Sequence, residues 1–200
     1  MNKANLRKCH KDLEHSLGRL ADFASRVLAA KRVVGDAEDK RDLMEAFLLR
    51  ACSRWERFVE EQLVACVNRF PGQLGEYLAA EIPSHPSKEL CRVLLFGNGY
   101  RNIKKCSELK KFAKKVLPEA SNPFAKIKPD DAKRIDDAFE VRNYLSHRSH
   151  HSRRTLAKIY ETNYGLKNFR EPGQFLVADG GARLLAFIEA FRSASKSMSA

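Results

Sequence analysis

Apolar residues recur at three- and four-residue spacing along most of the chain, which is the pattern of helices with one apolar face. A first run covers residues 3–33, and after a break at Gly35 a second run continues to about Phe70, with Asp36 placed to cap it. No stretch alternates between apolar and polar residues in the way that a half-buried strand does. The pattern predicts an all-α helical bundle built on a long antiparallel αα-hairpin with additional shorter helices.

The later helices are shorter and are separated by proline and glycine. Residues 71–87 contain three of the seven prolines and are predicted to form a connection, with a helical turn around 74–80. Pro129 followed by Asp130 and Asp131 favours a helix start, because proline suits the first turn and acids complement the helix dipole. Further helices are predicted at about 88–96, 107–117, 129–148, 152–160, where Ser152 is the expected cap, and 182–194.

The length of 200 residues suits a single domain, residues 1–200, in which 164–181 form a loop and 195–200 a flexible tail. Five cysteines, an odd number without a CxxC pair, and the absence of a leader pattern indicate reduced thiols, mostly in the core, of a cytoplasmic protein. No apolar run approaches the roughly 20 residues that span a bilayer, so no membrane association is expected.

The charge is strongly positive and unevenly distributed. The chain has 37 Lys and Arg against 25 Asp and Glu, a net charge of +12, which favours a polyanionic partner, nucleic acid before an anionic membrane surface; solubility alone is the alternative. Residues 142–158 carry Arg and Lys but no acid. A lysine series is either an RNA track or a solvated helix face. It consists of Lys104, Lys105, Lys110, Lys111, Lys114 and Lys115.

The segment Val141-Arg142-Asn143-Tyr144-Leu145-Ser146-His147 resembles the motif of the HEPN superfamily, in which a His follows an Arg after four to six residues and Asn often comes directly after the Arg. The layout is also similar, with two long helices first, the motif on a late helix and a further helix after it. The nearest branch is the RiboL-PSP-like group.

The resemblance implies a metal-independent endoribonuclease that leaves a 2′,3′-cyclic phosphate, with Arg142, Asn143 and His147 as catalytic residues. It also implies a homodimer whose two motifs face one cleft. An imidazole can take the 2′-OH proton or protonate the leaving oxygen, a guanidinium can stabilise the phosphorane, and the amide can orient either group. A toxin or antiviral effector, held by an antitoxin or another regulatory protein, is the biological role expected.

Helical spacing places Arg142 in line with the apolar Ile135 and Leu145, where a guanidinium needs an anion or an interface. Asn143 and His147 are neighbours four residues apart. The alternative interpretation is that Arg142 pairs with a core-facing carboxylate and His147 is a solvated residue at the helix end.

Residues after the motif are predicted to contact RNA phosphates, although a solvated basic turn has the same pattern. They are Arg148, His150, His151, Arg153 and Arg154. Three close histidines could bind zinc, but no Cys, Asp or Glu lies near them in sequence, so neither a metal nor another cofactor is expected. Tyr144 could stack on an unpaired base or belong to the core.

Two other functions fit the same sequence. A HEPN-like module could bind RNA or a protein partner without cleaving, with Arg142 and His147 only supporting the dimer. A helical scaffold without a nucleic-acid role would use the positive charge for solubility alone.

Overall fold

The computed structural model describes residues 6–30, 37–97 and 105–199, apart from the side chain of Leu6. All regular secondary structure in these ranges is helical, which confirms the all-α prediction. The expected break at Gly35, the cap at Asp36 and residue Lys104 lie outside the described residues. Within the described ranges, no helix combines enough length with enough apolar character to cross a bilayer.

The helices are named here in chain order. They are α1 (Leu6–Ala29), α2 (Ala37–Arg69), α3 (Gly72–Leu78), α4 (Lys88–Phe96), α5 (Cys106–Val116), α6 (Pro129–His147), α7 (His150–Tyr164), α8 (Pro172–Val177) and α9 (Ala182–Ser199). Short 3-10 turns occupy Glu119–Ser121, Pro123–Lys126 and Ala178–Gly181. The predicted positions of α2, α4, α5 and α6 agree with these bounds to within a residue or two.

The two long helices pack along each other through their apolar faces. Near the start of α1, His10 lies edge-on to Phe58 of α2 with 5.0 Å between the ring centroids. Near the end of α1, Phe23 lies 5.1 Å from Phe47 in the first part of α2. This order of ring contacts is that of two helices running in opposite directions. Trp55 in α2 is only 2% exposed and belongs to the core, as its place in the stripe predicts.

Helix α6 lies in the middle of the bundle and contacts α2, α5, α7 and α9. Its apolar residues Ile135, Ala138 and Phe139 are fully buried. Pro129 occupies its first turn with Asp130 and Asp131, as predicted. The helix ends at His147 because Arg148 adopts a left-handed conformation with a φ of 42°.

Helix α7 begins earlier and ends later than predicted. Ser149, not Ser152, is its N-cap: the Ser149 hydroxyl accepts a hydrogen bond from the Ser152 N–H, and the Ser152 hydroxyl accepts one from the Ser149 N–H, both at 3.1 Å. This reciprocal pair is a capping box. The helix continues to Tyr164 and is ended by Gly165, whose φ is 64°.

The predicted loop at 164–181 contains the short helix α8, which packs on α2. Pro172 begins this helix instead of interrupting structure, because proline is tolerated in a first turn where its missing N–H is not needed. Phe175 and Leu176 are fully buried, and the Gly173 N–H donates to the Glu45 carboxylate over 2.7 Å. These contacts order a segment whose local sequence does not show a helical period.

The prediction of a flexible tail from residue 195 was wrong for residues 195–199, which continue α9. Ser195 and Met198 are buried, and Ser195 Oγ lies 2.9 Å from His10 Nδ1 of α1. Burial between α2 and α9 lowers the pKa of His10, which favours the neutral imidazole. The thiols of Cys52, Cys66, Cys91 and Cys106 form no disulfide bond among the described residues and are buried, as expected of small core residues. Cys9 is half-buried.

The docking of α8 on α2 can be tested with a single methyl group. A Cβ added at Gly173 would lie 2.6 Å from Arg41 Cβ and 3.2 Å from the Arg41 carbonyl carbon. We expect Gly173→Ala to lower the free energy of unfolding by roughly 1–3 kcal/mol, because the helices must separate to admit it. The measurement is urea denaturation followed by circular dichroism.

Gly72→Ala is the matched control, since a Cβ there meets nothing within 4 Å and its φ is not positive. It should leave stability unchanged or raise it slightly. Equal stability of the Gly173→Ala variant and the original protein would contradict the packing of α8 described above.

Candidate functional site

A sharp corner joins α6 to α7, and we define it as residues 147–154, the α6–α7 corner. Only Arg148 and Ser149 separate the two helices: the first ends α6 and the second caps α7. His147, Arg148, His150 and His151 are all exposed there. The corner therefore presents imidazoles and guanidinium groups to solvent on two rigid helix ends.

Arg142 lies one and a half turns before the corner and is directed at α2. Its Nη2 is 3.8 Å from Oε1 of Glu56, and the two side chains are 25% and 14% exposed. Glu56 Oε1 is buried and accepts no hydrogen bond from the described residues. The contact is therefore an ion pair without a hydrogen bond. This is the arrangement of the alternative interpretation, in which Arg142 pairs with a core-facing carboxylate.

The Cys52 thiol lies in the same cluster, one turn before Glu56 on α2. Its Sγ donates to the Ala138 carbonyl of α6 over 4.0 Å. Burial raises the pKa of this thiol far above its usual value, the nearby Glu56 adds to the increase, and Arg142 opposes it. Cys52 is therefore a protonated packing residue between α2 and α6 and does not serve as a nucleophile.

Asn143 carries an unusual buried polar atom. Its Oδ1 is shielded from solvent and has no hydrogen-bond partner among the described residues. An unsatisfied buried amide oxygen is unfavourable, and Glu14 and Tyr160 also carry a buried oxygen without a partner among the described residues. Asn143 lies on the row of α6 that also contains Asp136 and Glu140, which face α5: Asp136 accepts from the Cys106 N–H at 2.5 Å and Glu140 pairs with Lys105 at 3.1 Å.

The structure does not bring Arg142 and His147 together within one chain. They lie five positions apart along α6, so their side chains leave the helix roughly 140° apart. Arg142 contacts Glu56 on α2, whereas His147 is exposed on the row of Asn143. Asn143 and His147 therefore share one side of α6, as the four-residue spacing predicts, and Arg142 faces another.

The basic residues of the corner differ in how they are held. Arg148 is 68% exposed and lies 4.0 Å from Glu45, and the Arg153 guanidinium lies over the Phe169 ring at 4.5 Å from its centroid. Arg154, His150 and His151 are exposed and pair with no carboxylate of the described ranges. Burial raises the pKa of Glu45, while the Gly173 N–H and Arg148 oppose that increase.

Tyr144 belongs to the core and does not form a stacking platform, so its place among the predicted RNA contacts is corrected. Its side chain is 6% exposed. The hydroxyl donates to the Glu171 carboxylate at 3.2 Å, and the ring lies edge-on to Phe169 with 5.4 Å between centroids. Burial, together with Glu171, raises the pKa of this phenol. Tyr144 therefore packs against Phe169, and the Phe169 ring in turn contacts Arg153 of the corner.

Several residues that shape the site were missed by the sequence analysis: Glu45, Glu56, Phe169 and Glu171. A partial signal existed for two of them. Glu45, Cys52 and Glu56 follow a spacing of seven and four, so both acids lie on the row of α2 that carries a buried cysteine. Acids on a buried row indicate a cationic partner on another helix. Phe169 and Glu171 stand in a stretch without helical period and left no comparable signal.

No group of three or more His, Cys, Asp or Glu side chains suited to a metal ion occurs in the part of the chain that the structure describes. No protein-family model matches the chain, and neither a curated protein nor a solved structure is significantly similar to it. The residues and geometry of this chain and the motif resemblance are therefore the support for a function.

The Arg142–Glu56 contact can be measured by a double-mutant cycle. Arg142→Ala leaves a largely buried carboxylate without its cation, and we expect a loss of roughly 1–3 kcal/mol in the free energy of unfolding. Adding Glu56→Gln should restore part of the loss, giving a coupling free energy of about 0.5–2 kcal/mol. The measurement is chemical denaturation of the four proteins in one buffer.

Arg154→Ala is the control, because Arg154 is exposed and unpaired. It should change stability by no more than about 0.5 kcal/mol. Additive effects of the Arg142 and Glu56 substitutions would show that the two side chains do not interact in solution.

Proposed function

We propose that the protein is a metal-independent endoribonuclease that binds RNA at the α6–α7 corner and uses His147 as a general acid–base residue. The observation that carries the proposal is the position of His147. This imidazole is exposed at the end of α6, shares a row with Asn143, whose buried Oδ1 lacks a partner, and begins a basic corner in which Arg154 is unpaired. The resemblance to the HEPN motif supports the same chemistry.

In the proposed reaction, His147 removes the proton from a ribose 2′-OH, and the 2′-oxygen attacks the adjacent phosphorus. The bond from phosphorus to the 5′-oxygen breaks, which leaves a 2′,3′-cyclic phosphate and a 5′-hydroxyl. An acid must protonate the departing 5′-oxygen, and imidazole suits both proton transfers near neutral pH. A guanidinium, the role proposed for Arg142, stabilises charge on the phosphorane oxygens.

A homodimer would complete this set of groups. One imidazole cannot act as base and acid on opposite sides of the phosphorus in one step, so a second copy of the corner would supply the other group. The Arg142–Glu56 pair is long, at 3.8 Å, and Arg142 is a quarter exposed, so a phosphate can compete with Glu56 for it. Pairing of two corners across one cleft also places six arginines around a single RNA, namely Arg148, Arg153 and Arg154 of each copy.

We place this activity in the cytoplasm, as a toxin or antiviral effector controlled by an antitoxin or another regulatory protein. The support is the motif resemblance together with the positive charge of the chain. An acidic inhibitor would cover the corner by charge complementarity, since residues 142–158 contain no acid.

The second candidate is a HEPN-like module that binds RNA or a protein without cleaving. The observation that favours it is the ion pair between Arg142 and Glu56, together with the roughly 140° between Arg142 and His147 around the helix. In that case Arg142 attaches α6 to α2, and the corner contributes only phosphate contacts.

The direct test is incubation of the purified protein with mixed RNA in EDTA. We expect fragments that end in a 2′,3′-cyclic phosphate, recognised because they accept a 3′ adapter only after end repair. His147→Ala should reduce the cleavage rate by about 10²–10⁴-fold, the usual contribution of a general acid or base. Arg142→Ala should also reduce it, in preparations whose folding has been verified.

His85→Ala is the matched control, because His85 is an exposed histidine between α3 and α4, away from the corner. It should cleave at the original rate. Cleavage that persists in the His147→Ala protein would rule out the proposed role of that imidazole. Salt-sensitive RNA binding without any cleavage would favour the second candidate.

A further inference from the structure

A second basic surface lies between α1 and α2, and we call it the α1–α2 groove. It has a volume of about 1070 Å³ and is lined by Arg19 and Arg26 from α1, Arg50 and Arg54 from α2, with Phe23 and His15. The row of α2 that faces α6 and α8 contains Glu45, Cys52 and Glu56. Measured around the axis of α2, the side chains of Arg50 and Arg54 lie roughly 120–200° from that row. The groove and the α6–α7 corner therefore occupy different sides of α2.

The charge of the groove is unbalanced. Asp22 is the one acid among its lining residues. None of the four arginines forms an ion pair with a carboxylate of the described residues, whereas Arg57 and Arg92 on neighbouring surfaces pair with Glu61 and Glu60 at 2.9 and 2.8 Å. Four unpaired guanidinium groups along one groove repel one another and attract a polyanion.

An exposed aromatic ring lies among these cations. Phe23 is 47% exposed, it packs on Phe47 at 5.1 Å between centroids, and the Arg26 guanidinium lies over its ring at 5.6 Å from the centroid. An unpaired base can stack on this half-exposed ring when Arg26 turns from the ring to a phosphate. Aromatic rings interleaved with cations are typical of surfaces that bind single-stranded nucleic acid, whereas bases in a duplex are already stacked and do not reach such a ring.

The length of the groove limits what it can hold. Arg19 and Arg26 lie two turns apart on α1, roughly 10 Å along the helix, and Arg50 and Arg54 lie one turn apart on α2, roughly 6 Å. The groove therefore suits a few consecutive phosphates. A single strand is flexible enough to pass between two helices and place a base on Phe23.

We propose that the α1–α2 groove binds a short single-stranded RNA segment through its four arginines and Phe23, as a second binding site away from the α6–α7 corner. The choice of RNA as ligand rests on the proposed function, but the groove requires no cleavage. It would hold the strand that leads to or from the corner, so that substrate affinity depends on both surfaces.

The test is fluorescence anisotropy of the full chain with a labelled 12-nucleotide 2′-O-methyl oligouridine, which cannot be cleaved by 2′-OH attack. Arg50→Ala/Arg54→Ala should weaken binding at least tenfold and lower the slope of log affinity against log salt by about 1.4, or roughly 0.7 for each lost phosphate contact. Phe23→Leu, which keeps an apolar side chain against Phe47, should weaken binding at least about fivefold through lost stacking.

Lys126→Ala/Lys128→Ala is the matched control, because it removes the same charge from exposed positions just before α6 that belong neither to the groove nor to the α6–α7 corner. It should leave affinity nearly unchanged. Equal losses in the control and groove variants, or unchanged binding in the groove variants, would overturn the proposal. So would a duplex that binds as tightly as the single strand, or polyglutamate that competes equally at the same charge, since the latter indicates an acidic protein partner.

The outcomes also separate this proposal from the proposed function. Groove-dependent binding by a protein that cleaves no RNA would leave the groove proposal standing and contradict the nuclease. A different result would overturn only the groove proposal. In that case cleavage depends on His147, and neither its rate nor the affinity for RNA changes when Arg50, Arg54 or Phe23 is substituted.

Discussion

The structure depends on the polar contacts of α6, a central helix that is rich in ionisable residues. The ionisable groups that α6 buries must each pair with a side chain or backbone group of a neighbouring element. Buried charges and polar groups are tolerated only when they are paired or hydrogen-bonded. Helix α6 meets this requirement through contacts with several neighbouring elements, and the buried Oδ1 of Asn143 is an exception among its described side chains. Its contacts are Asp131 with Ser193, Asp136 with the Cys106 N–H, Asp137 with Asn163 and Tyr164, Glu140 with Lys105, Arg142 with Glu56 and Tyr144 with Glu171. These contacts fix the rotation of α6 relative to α2, α5, α7 and α9.

This constraint explains the form of the candidate site. Because α6 cannot rotate without breaking several polar contacts, the position of its C-terminal end relative to the neighbouring helices is fixed. Arg142 pairs with Glu56 of α2, whereas the imidazole of His147 is exposed to solvent. The proposed chemistry therefore requires a competing phosphate or a second copy of the chain, whereas simple RNA binding requires neither. In the proposed reaction, the Arg142–Glu56 pair that holds α6 against α2 would have to open before Arg142 could contact a phosphate.

The extent to which the sequence predicted the fold followed the strength of each local pattern. The period of α1, α2 and α6 is long and regular, so their positions were predicted well. Helix α8 has six residues and is ordered by tertiary contacts with α2, so the sequence pattern alone predicts a loop there. The small polar residues after Ala194 resemble a solvated tail, but Ser195 is buried and bonded to His10 on a helix far away in sequence. The HEPN-like motif drew attention to Arg142, Asn143 and His147, but the partner of Arg142 comes from α2, and Phe169, which contacts Arg153 of the corner, comes from the segment before α8. No local rule connects these segments.

The central claim is that RNA contacts the imidazoles of the α6–α7 corner. It is tested most directly by NMR of histidine-labelled protein titrated with a 2′-O-methyl oligouridine that cannot be cleaved. We expect the ring resonances of His147, His150 and His151 to shift in proportion to the fraction of protein bound to RNA. The resonances of His10, which is packed against Ser195, and of His85, which lies between α3 and α4, should not shift. Unchanged corner resonances at saturating RNA would contradict RNA binding at the corner.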